Sequence, residues 1–485
     1  MIDRIKRYLI EVLILVIGVL LAGCQSKVFL MPMPVAIQSD TTFFDMSEGN
    51  KDQNLLYTLY ATNRRPFDTL NNSKGYTIFP SDTLELGYVV YRVGDEEMTW
   101  DELFQQSTTS DRDRKLLLSQ KYIREMARYT KDDDLRWSSA RAEGFFDKIN
   151  QLLAGSMDKD VTIYVHGANS NFYRATAQGA QYYHYTGHNS IVLTFSWPSA
   201  ENLLKYKIDV LHARQTVSAF TRLIETLAHH TNARKINILA YSAGAQVVAP
   251  ALAALPALHP ELPCEELKEQ LRIGEVYFAA PDTAFKPFLE RFMKFKDIVD
   301  RTTINTNIND TVLLLASLQN NKTSRLGRPD IGELDDEEKQ MIVDLMNTPK
   351  LNVLDLGGSE ALKLGRAHDS WYSHPWVSND LLLLFLFNAT PEERGLKVHH
   401  YDTGAKVYRF PPDYDRHIRQ IIDEQKEEFL DSLPSSSGLK KPTKPNSSNG
   451  SDQTAPNVLA PTHRISPETS HIPPRSPHPP DSLHI

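Results

Sequence analysis

The residues best placed to do chemistry are Ala240, Tyr241, Ser242, Ala243 and Gly244, which join a strand-like run from Lys235 to a helix-like run from about Ala245. Small residues two before and two after a serine let the chain fold into a strained strand-turn-helix elbow that exposes the hydroxyl. A serine hydroxyl becomes a useful nucleophile only when a base takes its proton, and that base needs a partner to hold its tautomer. In the serine hydrolases that use such an elbow, the acid and then the histidine follow it in the chain, each just beyond a later strand. Asp310 follows the strand-like run Thr302 to Asn307, and His368 follows Leu351 to Leu356. Ser242 is therefore the candidate nucleophile, His368 the base and Asp310 the acid. Asp282, in Ala279-Ala-Pro-Asp282, is the alternative acid, with helix capping or loop fixing as its competing role. His374 is the rival base. Oxyanion donors are expected at the backbone NH groups of Ala243 and of Ala168, the latter in Val165-His-Gly-Ala-Asn169. His166 reads as a residue that orders this loop. The pairs His229-His230 and His399-His400 are adjacent rather than three or four apart, so neither offers two ligands on one helical face. No metal site and no cofactor are expected.

Positioning these groups requires a sheet whose carboxyl ends gather on one side. From Val161 onward, short runs rich in β-branched residues alternate with longer helical ones: Val161 to Val165, Ser190 to Phe195, Lys235 to Ala240, Gly274 to Ala279, Thr302 to Asn307 and Leu351 to Leu356. This alternation predicts a mostly parallel sheet with helices on both faces, with its ligands at the strand ends. Upstream, Asn54 to Arg64 and Leu84 to Arg92 read as strands, while Leu116 to Tyr129 and Ser138 to Leu153 read as helices. These make an N-terminal strand and helix elaboration.

The chain has 485 residues, 41% of them apolar and 24% charged, so neither wholesale disorder nor a polytopic membrane protein fits. Two cysteines exclude a disulfide scaffold or a Cys-rich metal cluster. The net charge of -8 argues against nucleic-acid partners. Arg4, Lys6 and Arg7 precede an apolar run, Tyr8 to Leu21, that is shorter than the ~20 residues a spanning helix needs. It reads as a secretory signal peptide over residues 1–23, ending in a Leu-Ala-Gly-Cys box that resembles the bacterial lipobox. Cys24 would carry acyl chains, palmitate among them, and anchor the protein to the membrane. Gln25 in the next position, rather than aspartate, implies the outer membrane, with the body facing the periplasm. Cys264, with no histidine near it in sequence, reads as inert. Residues 24–50 read as a tether and 51–433 as the folded domain, with a hydrolase core at about 160–390. Residues 434–485 hold 11 of the 28 prolines and no aromatic residue, so they read as a disordered tail.

Beyond these separate signals, Tyr57-Thr-Leu-Tyr-Ala-Thr-Asn-Arg64, Val165-His-Gly-Ala-Asn169, Phe195-Ser-Trp-Pro-Ser199, Tyr241-Ser-Ala-Gly244, Ala279-Ala-Pro-Asp282, Asn309-Asp310, Arg325-Leu-Gly327 and His368-Asp-Ser-Trp-Tyr372 occur in this order. Together they resemble an uncharacterised, lipase-like bacterial α/β-hydrolase family of unknown function, over about residues 54–385. The resemblance implies the α/β-hydrolase fold, with Ser242 as nucleophile, Asp310 as acid and His368 as base. Tyr241 departs from the family, which commonly carries histidine there.

The function expected is a membrane-anchored serine hydrolase that cleaves small-molecule or lipid esters through an acyl-enzyme. The alternative is a non-catalytic envelope-binding lipoprotein built on the same scaffold. Residues 317–350 read as either a lid over the site or a peripheral helical insertion.

Overall fold

In a computed structural model the chain is described over residues 27–432, except for residues 40, 42–43, 45–53, 69–73, 136–138, 203–204, 321–322, 331, 333–334, 360–361 and 363–367. The signal peptide expected at 1–23, Cys24 and the tail expected at 434–485 lie outside the described residues.

Eleven strands among the described residues form one sheet: β1 (Leu55–Asp68), β2 (Lys74–Val93), β3 (Leu118–Tyr129), β4 (Val161–Val165), β5 (Ile191–Ser196), β6 (Ile236–Tyr241), β7 (Ile273–Ala279), β8 (Val299–Thr306), β9 (Leu351–Asp355), β10 (Lys397–His400) and β11 (Lys406–Arg409). Their order is β10-β11-β9-β8-β7-β6-β4-β5-β1-β2-β3. The block from β1 to β11 through β5, β4, β6, β7, β8 and β9 is parallel, and β2, β3 and β10 run antiparallel to their neighbours. All residues of β4, β5, β6 and β7 are buried. Continuous apolar strands of this kind are what a sheet covered on both faces demands. Helices Ala140–Gly155, Tyr206–His230, Ala245–Leu258 and Phe285–Phe295 cover one face. Helices Phe172–Tyr185, Pro375–Phe387 and Tyr414–Ser432 cover the other.

Two expectations need correction. Leu116 to Tyr129, expected as a helix, contains β3, which pairs along β2 from Leu84↔Tyr129 to Val93↔Leu118. The register shifts between Leu86 and Gly87 and again between Val90 and Tyr91. Each extra residue moves the inward face by one position, so alternation by two blurs into an apparent spacing of three and four. The second correction concerns the tether. Val28, Leu30, Met31, Met33, Val35, Ala36 and Ile37 are buried in the core of the second face. Leu30 donates its backbone NH to Leu116, and the NH groups of Met31 and Ala36 donate to the side chains of Gln181 and Asn379. The prolines at 32 and 34 suggested a linker, but the apolar residues around them bury enough surface to offset ordering the chain.

The segment 317–350 contains the helix Asp336–Met346, which has no fully buried residue. It packs on the flank of the molecule, where Ile342, Leu345 and Met346 touch the core and Glu338 pairs with Lys286 at 2.8 Å.

Candidate active site

Strand β6 delivers Ser242 at its carboxyl end, and the chain turns at once into the helix Ala245–Leu258. Ser242 has φ of 51°, a left-handed conformation that costs a non-glycine residue about 1–3 kcal/mol. Gly244 allows that turn to close. A Cβ there would lie 2.6 Å from the Val165 carbonyl oxygen and 2.8 Å from that of His166. Gly167 is needed for a similar reason, since its Cβ would stand 2.9 Å from Ser242 Cβ and 3.3 Å from its Oγ. The loop after β4 is thus pressed against the serine. Ala168 lies in that loop, and among the described residues its amide donates to no other group. Ala240, in place of the first glycine of such elbows, is fully buried between β4 and β7.

His368 joins the three candidate residues. Its Nε2 is 2.8 Å from Ser242 Oγ and its Nδ1 is 2.8 Å from Asp310 Oδ2. Asp310 is wholly buried and caps the helix Thr311–Gln319, its Oδ1 accepting from the Leu313 NH at 3.0 Å. One carboxylate oxygen thereby fixes the helix and the other holds the imidazole. The arrangement can take a proton from the serine onto Nε2 while Asp310 keeps Nδ1 protonated and steadies the imidazolium.

The other sequence candidates take different positions. Asp282 pairs through Oδ1 with Arg325 Nε at 2.6 Å, and its backbone NH donates to the Ser242 carbonyl at 3.0 Å. It braces the elbow from below. The Nδ1 of His374 accepts from the Trp376 NH at 3.2 Å, capping the helix Pro375–Phe387. Cys264 is exposed and unpaired.

Residues 142–382, which include β4 to β9 and the elbow, match the model of an α/β hydrolase of unknown function (DUF900). That segment belongs to this α/β hydrolase family. No curated protein matches the chain.

In this α/β hydrolase the loop beside the serine, which His166 was expected to order, is also held by Arg64 and Asp209, to which sequence reasoning gave no role. Arg64, fully buried in β1, donates to Ser196 Oγ at 3.0 Å, to the Ser170 carbonyl at 2.7 Å and to the Thr77 carbonyl at 3.2 Å. Burial lowers its pKa to about 9. The buried carboxylate of Asp209 accepts from the NH of Asn169 at 3.2 Å and from the NH of Ala200. Arg64 and Asp209 thus tie the loop after β4 to the loop after β5. The Phe195-Ser-Trp-Pro-Ser199 motif supplies the other half of this brace. Trp197 stacks on His166 at 5.2 Å between centroids and donates from Nε1 to the His166 carbonyl at 2.6 Å. Burial, with Arg64 nearby, pushes His166 down to about 3, so its ring is neutral and carries a single N–H. Two carbonyls face it, Gly167 at 2.7 Å from Nδ1 and Trp197 at 3.1 Å from Nε2, and only one of them receives that proton.

Tyr241, the departure noted in the sequence, forms an aromatic wall for the base. Its ring lies 5.4 Å from that of His368, 6.0 Å from Trp371 and 5.9 Å from Tyr372. The Trp371-Tyr372 pair, three and four residues beyond His368, was the available signal for it.

Burial raises the Asp209 carboxyl to about 6, so it is protonated below that pH and ionised above it. Only the carboxylate accepts equally from both amides. Asp209→Asn is therefore expected to lower turnover about tenfold at pH 8, with a much smaller loss at pH 5, where the wild-type carboxyl is already neutral. Comparing kcat of the two proteins across pH 5 to 8 checks this; a ratio that stays constant over the range would exclude it.

Proposed function

We propose that this α/β hydrolase cleaves carboxylic esters by a Ser-His-Asp mechanism while anchored to the bacterial cell envelope. The observation that carries the reading is His368 bridging Ser242 Oγ and Asp310 at 2.8 Å on each side. Ser242 Oγ attacks the acyl carbon as its proton passes to His368 Nε2. The oxyanion so formed is held by the amides of Ala243 and Ala168, and the alcohol leaves with the proton from His368. Water then enters, gives its proton to His368 and attacks the acyl-enzyme, releasing the acid and restoring the serine. A fluorophosphonate probe tests the assignment, with a single adduct expected on Ser242. Labelling that persists in Ser242→Ala would sink it.

An apolar acyl group is favoured by the surface next to Asp310. Ile308, Leu315 and Leu318 are 53%, 60% and 55% exposed, and no charged residue occurs between Thr311 and Asn320. Exposed apolar surface of this kind marks a contact with lipid or partner. Leu315→Glu combined with Leu318→Glu is expected to lower the rate on an emulsified long-chain ester about tenfold or more relative to a short soluble one. Equal losses on both substrates would count against an acyl-binding role.

Anchoring rests on Cys24, at the end of the basic and apolar leader. Among the described residues no helix is long and apolar enough to cross a membrane. Val28 is already packed into the body, so a lipidated Cys24 would leave a reach of only about 14 Å. That reach would keep the body against the bilayer, on the periplasmic side of the outer membrane. Mass spectrometry of the mature N-terminus tests this, with a lipid-modified Cys24 expected and an unmodified one overturning it.

A further inference from the structure

Beside the elbow, on the outer side of the helix Ala245–Leu258, a cavity of about 300 Å³ opens between the helices Tyr206–His230 and Phe285–Phe295. Ser242 does not line it. Its walls include Arg214, Gln246, Thr283, Arg291, Asn320 and Arg325. Three guanidinium groups at one small cavity are unusual, because like charges repel; Arg325 is buried there, Arg291 is half-buried and Arg214 is exposed at the mouth. Arg325 is neutralised by Asp282 at 2.6 Å. Arg214 and Arg291 are different: among the described residues neither forms an ion pair or a hydrogen bond. Burial lowers the pKa of Arg291, with Arg214 adding to the effect and the adjacent Glu290 opposing it. The two cations are therefore close enough to feel each other, and among the described residues neither is ion-paired with a carboxylate.

We propose that this cavity is a binding site for a phosphate-bearing ligand, with Arg214 and Arg291 as its principal contacts. Guanidinium groups present paired N–H donors that match the oxygens of a phosphate, and an anion between them replaces repulsion with two charge-assisted contacts. Thr283, Asn320 and Gln246 add polar groups to the same lining. A carboxylate, with two oxygens rather than three, would satisfy fewer of them. The cavity also shares its wall with the brace of the nucleophile. Gln246 donates to the Asp282 carbonyl at 2.8 Å and to Tyr206 Oη at 3.1 Å, while the Asp282 NH holds the Ser242 carbonyl. A ligand seated there would lean on the group that supports the elbow without touching the reacting atoms.

Two sources share this chemistry, a soluble phosphate ester and the headgroup of an anionic phospholipid. The test uses the full chain in neutral detergent, with inorganic phosphate titrated by calorimetry against chloride at matched ionic strength. A parallel arm measures flotation with vesicles of phosphatidylglycerol against vesicles of phosphatidylcholine. The comparison protein is the double variant Arg214→Gln with Arg291→Gln, in which the repulsion is removed, so its folding is expected to be intact by melting temperature. Phosphate binding that is weakened about tenfold or more in the double variant sustains the proposal and marks a soluble ligand. Flotation that needs phosphatidylglycerol and is lost in the double variant sustains it and marks a lipid headgroup. Binding of neither probe, or binding that the double variant retains, overturns it. Ser242→Ala is expected to bind as the wild type does, so the result stands apart from that of the ester-hydrolase reading.

Discussion

Ser242→Ala is expected to lower kcat on a short soluble ester by about 10⁵ to 10⁶, and His368→Ala by a similar factor. The two act as a unit: without the imidazole at 2.8 Å the hydroxyl keeps its proton, and without the hydroxyl the imidazole has nothing to activate. The double variant is therefore expected to lose little more than either single one. Asp310→Asn should cost about 10⁴, because an amide can turn its NH₂ toward Nδ1 and favour the wrong tautomer. The positive φ of Ser242 adds a second readout. Glycine accepts that conformation without strain, so Ser242→Gly should gain about 1 kcal/mol of stability as it loses activity. Steady-state rates and thermal melts on the same preparations check both. Residual activity in Ser242→Ala above about one part in a hundred would contradict the mechanism.

The second large effect is expected at Gly244. The groups a new Cβ would meet, at 2.6 and 2.8 Å, are the carbonyl oxygens of Val165 and His166, which belong to the backbone of β4 and its loop. A flexible side chain could swing aside, but these carbonyls cannot. Gly244→Ala must therefore push the helix Ala245–Leu258 away from β4, opening the gap between Ser242 and the loop that carries Ala168. A loss of about 2–4 kcal/mol in stability is expected, with a fall of about 10² to 10³ in kcat as the oxyanion donors are displaced. Gly144→Ala is the control. It lies inside the helix Ala140–Gly155 with nothing near its added methyl, so it should be neutral or gain up to about 1 kcal/mol. Similar behaviour of the two substitutions in a denaturation series would exclude the close approach as the reason for Gly244.

Much of the site could be read in the chain because its parts are local. The elbow needs only small residues around Ser242 and a strand-to-helix change, both visible between Lys235 and Leu258. Asp310 and His368 each follow a strand in the parallel series, and chain order places strand ends on one side of a parallel sheet. Arg64 and Asp209 were not legible in this way. Both are charged residues that an isolated sequence assigns to solvent, and they are buried because backbone groups of two distant loops converge on them. The cations Arg214 and Arg291 lie on different helices, and no spacing along the chain announces that they share a cavity. The hairpin of β10 and β11 was also missed, since four-residue strands carry too little pattern to stand out.

By itself, then, the sequence determined the alternation that makes a mostly parallel sheet, the elbow at Ser242 and the order of acid and histidine. These follow from local turn chemistry and from a repeating apolar period. Tertiary structure gave Asp310 and Asp282, both of which follow a sheet strand, different partners: the first turns its carboxylate to His368, the second to Arg325. It also decided that Leu118–Tyr129 is a strand and that residues 28–37 belong to the core. The physical reason is common to all three. Which partner a carboxylate meets, whether a bulged segment finds a ladder, and whether a proline-rich stretch is covered depend on surfaces contributed by residues remote in the chain.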